Sequence, residues 1–293
     1  MFVIWIIVAI LAFGILIAVH ELGHFAAARI FDVKVKEFAL GMGPKVLKRQ
    51  KGETLYSLRL LPIGGFCAME GEDGYESDPR PKRKNGALET VIEDDAQTRV
   101  PAIGTRSLTA KPWWQQCVVL VAGASANILI GYLICVAVRA ADGGEYGFFG
   151  VFREAWSDIL YFVRVIWQSL VMLVTGKVGL GDLSGPVGIV SMVGQVAAAS
   201  AGGASAARNV AHFFAFIAVN LGVMNLLPIP ALDGGRVLFT IITAAIEKLT
   251  RHKVSRKVEG YINAGAFVLL IGLMIFTLFN DIIRIVLARI SIN

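Results

Sequence analysis

Long apolar runs alternate with short polar ones along this chain, and the lengths of the apolar runs set the first expectation. Residues 2–24, 115–138, 209–228 and 261–279 are nearly free of charge and close to the roughly 20 residues a helix needs to cross a bilayer. A further apolar run, 155–175, is broken by Asp158 and Arg164. It is expected to lie on the membrane surface with its charged face in water. Between 36 and 70 the period changes. Glu53-Thr54-Leu55-Tyr56-Ser57-Leu58-Arg59-Leu60 alternates as a strand does, and Gly41, Gly43, Pro44, Pro62, Gly64 and Gly65 punctuate it. Residues 71–110 carry mixed charge with little to bury, as a polar cytoplasmic insert would.

The expected fold is a polytopic α-helical membrane protein with about four transmembrane helices and a small membrane-associated β-hairpin or sheet. Its units are 1–70 (first span and hairpin), the insert 71–110, a second span at 111–140, an outer-side linker at 141–208, and two spans in 209–293. Composition agrees, with 56% apolar and only 17% charged residues, outside the usual soluble range. The apolar start lacks a basic region and a small-residue cleavage site, so it is expected to be a retained span rather than a secretory signal. Cys67, Cys117 and Cys135 have neither disulfide-like nor zinc-like spacing, and the latter two, in or beside an apolar run, are expected to be packing residues.

The charge balance of +6 does not point to nucleic acid, because the basic residues are segregated by loop. One cluster runs from Arg29 to Lys51 and another from Lys248 to Lys257, whereas 139–208 is sparse in Lys and Arg. By the positive-inside rule both basic loops face the cytoplasm and both termini lie outside, in a multi-pass inner-membrane protein.

The candidate chemistry sits at the end of the first apolar run. Phe2 to Val19 contains no charged residue, and then His20-Glu21-Leu22-Gly23-His24 follows. On a helix the two histidines share a face and can grip one metal ion, with Glu21 placed to reach a water on that ion. Ionisable groups at that depth cost roughly 2.5–3.5 kcal/mol each, so a purposeless trio is disfavoured against an interfacial helix end. Two histidines are one ligand short. Asn225-Leu226-Leu227-Pro228-Ile229-Pro230-Ala231-Leu232-Asp233-Gly234-Gly235 breaks a helix at membrane depth, where irregular backbone is tolerated only against protein or a watery cavity. Asp233 is the sole acid between Asp182 and Glu247. A turn-forming Asp before Gly-Gly would explain it alone; beside His20 and His24 it reads as the third ligand, with zinc the metal. Asn127, polar inside a span, either glues helices together or faces the site. Ile63-Gly64-Gly65-Phe66 reads as an ordinary surface hairpin or as a free strand edge to which an extended peptide can add.

HELGH at 20–24, GMGP at 41–44, PIGGF at 62–66, KPWWQ at 111–115, SGP at 184–186 and NLLPIPALDGG at 225–235 resemble the site-2 protease family of intramembrane zinc metalloproteases (peptidase M50). Their order looks most like the bacterial regulator-of-sigma-E protease branch. The resemblance implies zinc held by His20, His24 and Asp233, with Glu21 as catalytic acid/base. It also implies that Gly64, Gly65, Asn220 and Asn225 help hold an unwound segment of a transmembrane substrate, such as an anti-sigma factor or a signal-peptide remnant. That branch normally carries one or two PDZ domains before the SGP turn. Here about forty residues separate Arg139 from Ser184, too few for one of usual size. The motif at 123–128 also lacks the family's usual Pro and Phe. The rival readings are an ion-coupled or zinc transporter, which expects inverted repeats and has no need of Glu21, and an inactive scaffold that keeps the fold.

Overall fold

A computed structural model describes residues 2–72, 106–141, 147–179, 181, 185–200, 203–251 and 257–290. In chain order the elements are α1 (Phe2–Ile30), β1 (Val35–Lys51), β2 (Thr54–Met69), α2 (Trp113–Ala141), α3 (Gly147–Val174), α4 (Pro186–Ala198), α5 (Gly203–Asn225), α6 (Asp233–Thr250) and α7 (Lys257–Ile290). Most of the polar insert, Ser184 of the SGP turn and His252 lie outside the described residues.

Helix α1 ends in a Schellman arrangement. Val33 N–H donates to Ala28 O at 2.7 Å, Asp32 N–H donates to Arg29 O at 3.2 Å, and Asp32 takes the left-handed φ of 51° usually left to glycine. The chain thereby turns out of the span into the sheet. Residues 37–40 of β1 stand opposite both 55–58 and 65–68 of β2, so the first half of β1 is flanked by two stretches of its partner. This is more than the simple hairpin the alternation suggests. The stretch that carries Gly64 and Gly65 is the one paired with 35–40. Val35, Phe38, Cys67 and Met69 pack the sheet against Ala27 and Ala28 of α1 and Val119 of α2.

Small residues let the helices close up, as they do where lipid offers no hydrophobic drive between helices. A Cβ on Gly23 of α1 would stand 2.4 Å from Ala122 O of α2. On Gly131 of α2 it would stand 2.8 Å from Val219 Cγ2 of α5, and on Gly222 of α5 it would stand 2.8 Å from Ala124 O. As the α2 numbers rise along these contacts the α5 numbers fall, so α2 and α5 run antiparallel.

Among the described residues five helices, α1, α2, α3, α5 and α7, are long and apolar enough to cross a membrane, against the expected four. The addition is α3, which contains the run expected at the surface. Its acid is not free. Arg139 of α2 donates to Asp158 at 2.8 and 2.5 Å, removing one of the two charges that broke the apolar run. Ala155, Ile159, Phe162 and Ile166 of α3 pack with Cys135 of α2 and with Ala215 and Val219 of α5.

Candidate metal centre

His20 and His24 lie one turn apart on α1, and their rings meet edge to face with centroids 4.7 Å apart. The unwound stretch between α5 and α6 brings the third group to them. Asp233 is the first residue of α6, where the positive end of the helix dipole favours a carboxylate. The glycines after it are required by sterics. A Cβ on Gly234 would lie 2.2 Å from Leu226 O, and one on Gly235 would lie 2.2 Å from Ile229 O. The carbonyls of the Leu-Pro-Ile-Pro stretch thus press on the start of α6, and only Gly-Gly admits them. Ala231, at φ 70°, completes the turn, and its N–H donates to the Asn263 side chain of α7 at 3.1 Å.

His20 Nε2 lies 3.2 Å from Asp233 Oδ2, His24 Nε2 lies 3.3 Å from that same oxygen, and the two Nε2 atoms are 3.2 Å apart. The three donors form a nearly equilateral triangle. Zinc bonds of roughly 2.0–2.1 Å in tetrahedral geometry separate the donors by about 3.3 Å, so the triangle has the size of one face of a zinc tetrahedron. Asp233 Oδ2 is buried and makes no hydrogen bond of good geometry. A buried oxygen crowded by two imidazole nitrogens without hydrogen bonding them fits a shared cation. The donor set, two imidazoles and a carboxylate, leaves the fourth position for water, as a catalytic site requires.

Helix α2 backs both histidines. His24 Nδ1 donates to Val119 O at 2.8 Å, and Asn127 Nδ2 lies 3.3 Å from His20 Nδ1. A Cβ on Gly123 would lie 2.3 Å from His24 Nε2. Val119 and Gly123 have no signal of their own in a sequence; only the small-residue run 123–127 marks this part of α2.

Glu21 borders the sheet. A Cβ on Gly65 would lie 3.3 Å from Glu21 Cγ and 3.1 Å from Ile17 Cγ2, so a larger residue there would press on the α1 face that carries the motif. Gly64 has φ 78° and sits over the Met42 side chain. Asn220 and Asn225 are half-buried near the end of α5. Glu72, just beyond β2, is ion-paired with Arg236 of α6. That link was invisible in the sequence.

Cys135, Asp158 and His212 form a second group, with ligand atoms within 4.8 Å of one another. There Arg139 already neutralises the carboxylate through two hydrogen bonds, and His212 packs edge to face on Phe162 with centroids 5.2 Å apart. These three are read as packing around an ion pair.

The family model Peptidase family M50 matches residues 8–273. A protein of Clostridium acetobutylicum carrying a zinc metalloprotease name is 32% identical, over 95% of this chain and 97% of its own length. The regulator of sigma-W protease RasP of Bacillus subtilis is 27% identical, over 98% of this chain and 100% of its own. The zinc metalloprotease RasP of Bacillus licheniformis is 26% identical, over 96% and 99%. The chain therefore belongs to peptidase family M50, and it is a membrane-embedded zinc metalloprotease of the site-2 protease type.

Proposed function

We propose that His20, His24 and Asp233 hold the zinc and that Glu21 is the acid/base of peptide-bond hydrolysis. The observation that carries this is the donor triangle of 3.2, 3.2 and 3.3 Å. Zinc bound there supplies a lowered pKa for its water, toward ~7, and polarises the scissile carbonyl. Glu21 takes the proton from the attacking water and returns it to the leaving amine. A transmembrane helix keeps its carbonyls in hydrogen bonds, so the substrate has to unwind before it reaches Glu21. The β2 stretch at Gly64 and Gly65, beside Glu21, takes the unwound segment as an added strand, and Asn220 and Asn225 assist in holding it.

The substrates are transmembrane segments of membrane proteins. The sigma-W regulator name of the Bacillus subtilis relative favours anti-sigma factors, with signal-peptide remnants as the second class.

The same reading gives the topology: an inner-membrane protein with both termini outside and the active site in the cytoplasmic half, next to the Arg29–Lys51 basic loop. Because α2 and α5 are antiparallel, the end of α2 and the start of α5 lie on one side. A single crossing by α3 would need a return crossing, and the 13 residues of α4 span only about 20 Å of a ~30 Å hydrocarbon core. This topology keeps α3 on the outer side, although it is long and apolar enough to cross. Residues 147–174 form one helix, which supports reading the outer-side segment as lacking a PDZ domain. The RasP match runs over 432 positions against 293 residues here, so that relative carries more than a hundred positions without a counterpart.

The test is cleavage of a single-span substrate by the purified protein. Cleavage lost with a zinc chelator and regained with zinc supports the reading; cleavage indifferent to the chelator overturns it. A transporter would cleave nothing.

A further inference from the structure

We infer that Asn127 is a positioning residue: its side-chain oxygen accepts a hydrogen bond from His20 Nδ1–H and so holds the His20 Nε2 lone pair toward Asp233. The inference rests on the ligand assignment proposed above. It starts from a stripe on α2. Val119, Gly123 and Asn127 are spaced by four, so they fall along one face, and that face lies against His24 and His20 of α1.

At His24 the stripe leaves no choice of tautomer. A carbonyl only accepts, so the 2.8 Å contact of His24 Nδ1 with Val119 O puts a proton on Nδ1, and in the neutral ring that leaves Nε2 bare. Bare Nε2 is the form that binds a metal. At His20 the same demand falls on Asn127. If His20 Nε2 is to be a ligand, Nδ1 carries the proton, and the group facing Nδ1 has to be an acceptor. The Asn127 amide is 0% exposed. Its Nδ2 stands 3.3 Å from His20 Nδ1, while its Oδ1 is buried without a partner. Amide oxygen and nitrogen differ only by a turn about χ2, and the hydrogen-bond network decides between them. With Nδ2 toward the ring, His20 would carry its proton on Nε2 and point it at Asp233, a hydrogen bond in place of a ligand. With Oδ1 toward the ring, the orphaned acceptor is satisfied and both Nε2 lone pairs face the carboxylate. The zinc-binding state therefore takes the second orientation.

Simple interhelical glue would need only some polar group on a neighbouring span. The partner Asn127 meets on α1 is a ring nitrogen of the metal-binding motif itself. Removing such an outer partner of a metal-bound histidine typically costs about 10- to 100-fold in metal affinity.

The experiment titrates zinc into the full-length protein in detergent against a chromophoric chelator, for wild type, Asn127→Ala, Asn127→Asp and His20→Ala, with thermal unfolding recorded for each. Expected are about 10- to 100-fold weaker zinc in Asn127→Ala and near wild-type affinity in Asn127→Asp, which keeps an acceptor at the same place. The cobalt-substituted protein should show shifted d–d bands in Asn127→Ala and wild-type bands in Asn127→Asp. Wild-type zinc affinity in a folded Asn127→Ala variant overturns the inference. So does an Asn127→Asp variant that folds yet binds zinc as weakly as the alanine. Should Asn127→Ala fail to fold, the aspartate variant decides. If His20→Ala keeps its zinc, the ligand assignment itself fails, a result separable from either outcome at Asn127.

Discussion

Glu72, just past the end of β2, is ion-paired with Arg236, three residues beyond Asp233 on α6. Both side chains are largely buried, at 17% and 23% exposure, and they line a cavity of about 20 Å³, room for about one water, with Gln116 and Thr240. The pair ties the helix that presents Asp233 to the sheet that borders Glu21. Arg236→Met should therefore weaken zinc binding about fivefold, the worth of an ion pair of about 1 kcal/mol. Exchanging the two charges in a Glu72→Arg/Arg236→Glu double variant should recover part of the loss. Equal zinc affinity in Arg236→Met and wild type would remove this role.

Glu21→Gln should retain one zinc and lose cleavage by about 10²- to 10⁴-fold, the usual worth of a general acid/base. Zinc content and cleavage measured on the same preparation separate the two effects. Loss of zinc in this variant would make Glu21 a ligand instead.

Gly234 and Gly235 are the steric condition for Asp233 reaching the histidines. Alanine at either would set a Cβ 2.2 Å from a backbone carbonyl and force the turn apart. We expect destabilisation of the order of 1–3 kcal/mol, with weakened zinc binding. Gly272 of α7 is the control, because nothing lies within 4 Å of its would-be Cβ. Gly272→Ala should unfold at the wild-type temperature or slightly above.

Acid should loosen the sheet through its carboxylates. Burial pushes the Glu37 carboxyl up, but hydrogen bonds from Ser57, Lys45 and Arg59 outweigh it and hold the group below the ordinary range. A carboxyl lowered on folding stabilises at neutral pH, and that contribution is lost as pH falls from the unfolded value near ~4.3 through the folded one. The difference in thermal stability between wild type and Glu37→Gln should be largest at pH 7 and shrink below about pH 4.3. A difference independent of pH would contradict this.

What could be read from the sequence was what is local or depends on spacing alone. His20 and His24 declare themselves by a four-residue interval, and Asp233 by standing alone in an apolar stretch after two prolines. Elsewhere the partner is remote. Asp158 looked like a water-facing break in an apolar helix because its counter-ion, Arg139, lies on a different helix. The Glu72–Arg236 tie crosses the whole insert. The double pairing of 37–40 depends on bulges and on glycines with positive φ, such as Gly41, that alternation cannot register. Asn127 stood between two roles because the acceptor it offers has meaning only once His20 Nδ1 is seen beside it.

Hydrolysis here requires a metal held between two distant segments, and zinc stoichiometry of the full-length protein in detergent reports whether it is held. One equivalent is expected in wild type, and none at the same free zinc in Asp233→Ala. An Asp233→Ala variant that is folded and still binds one zinc with wild-type affinity would contradict it.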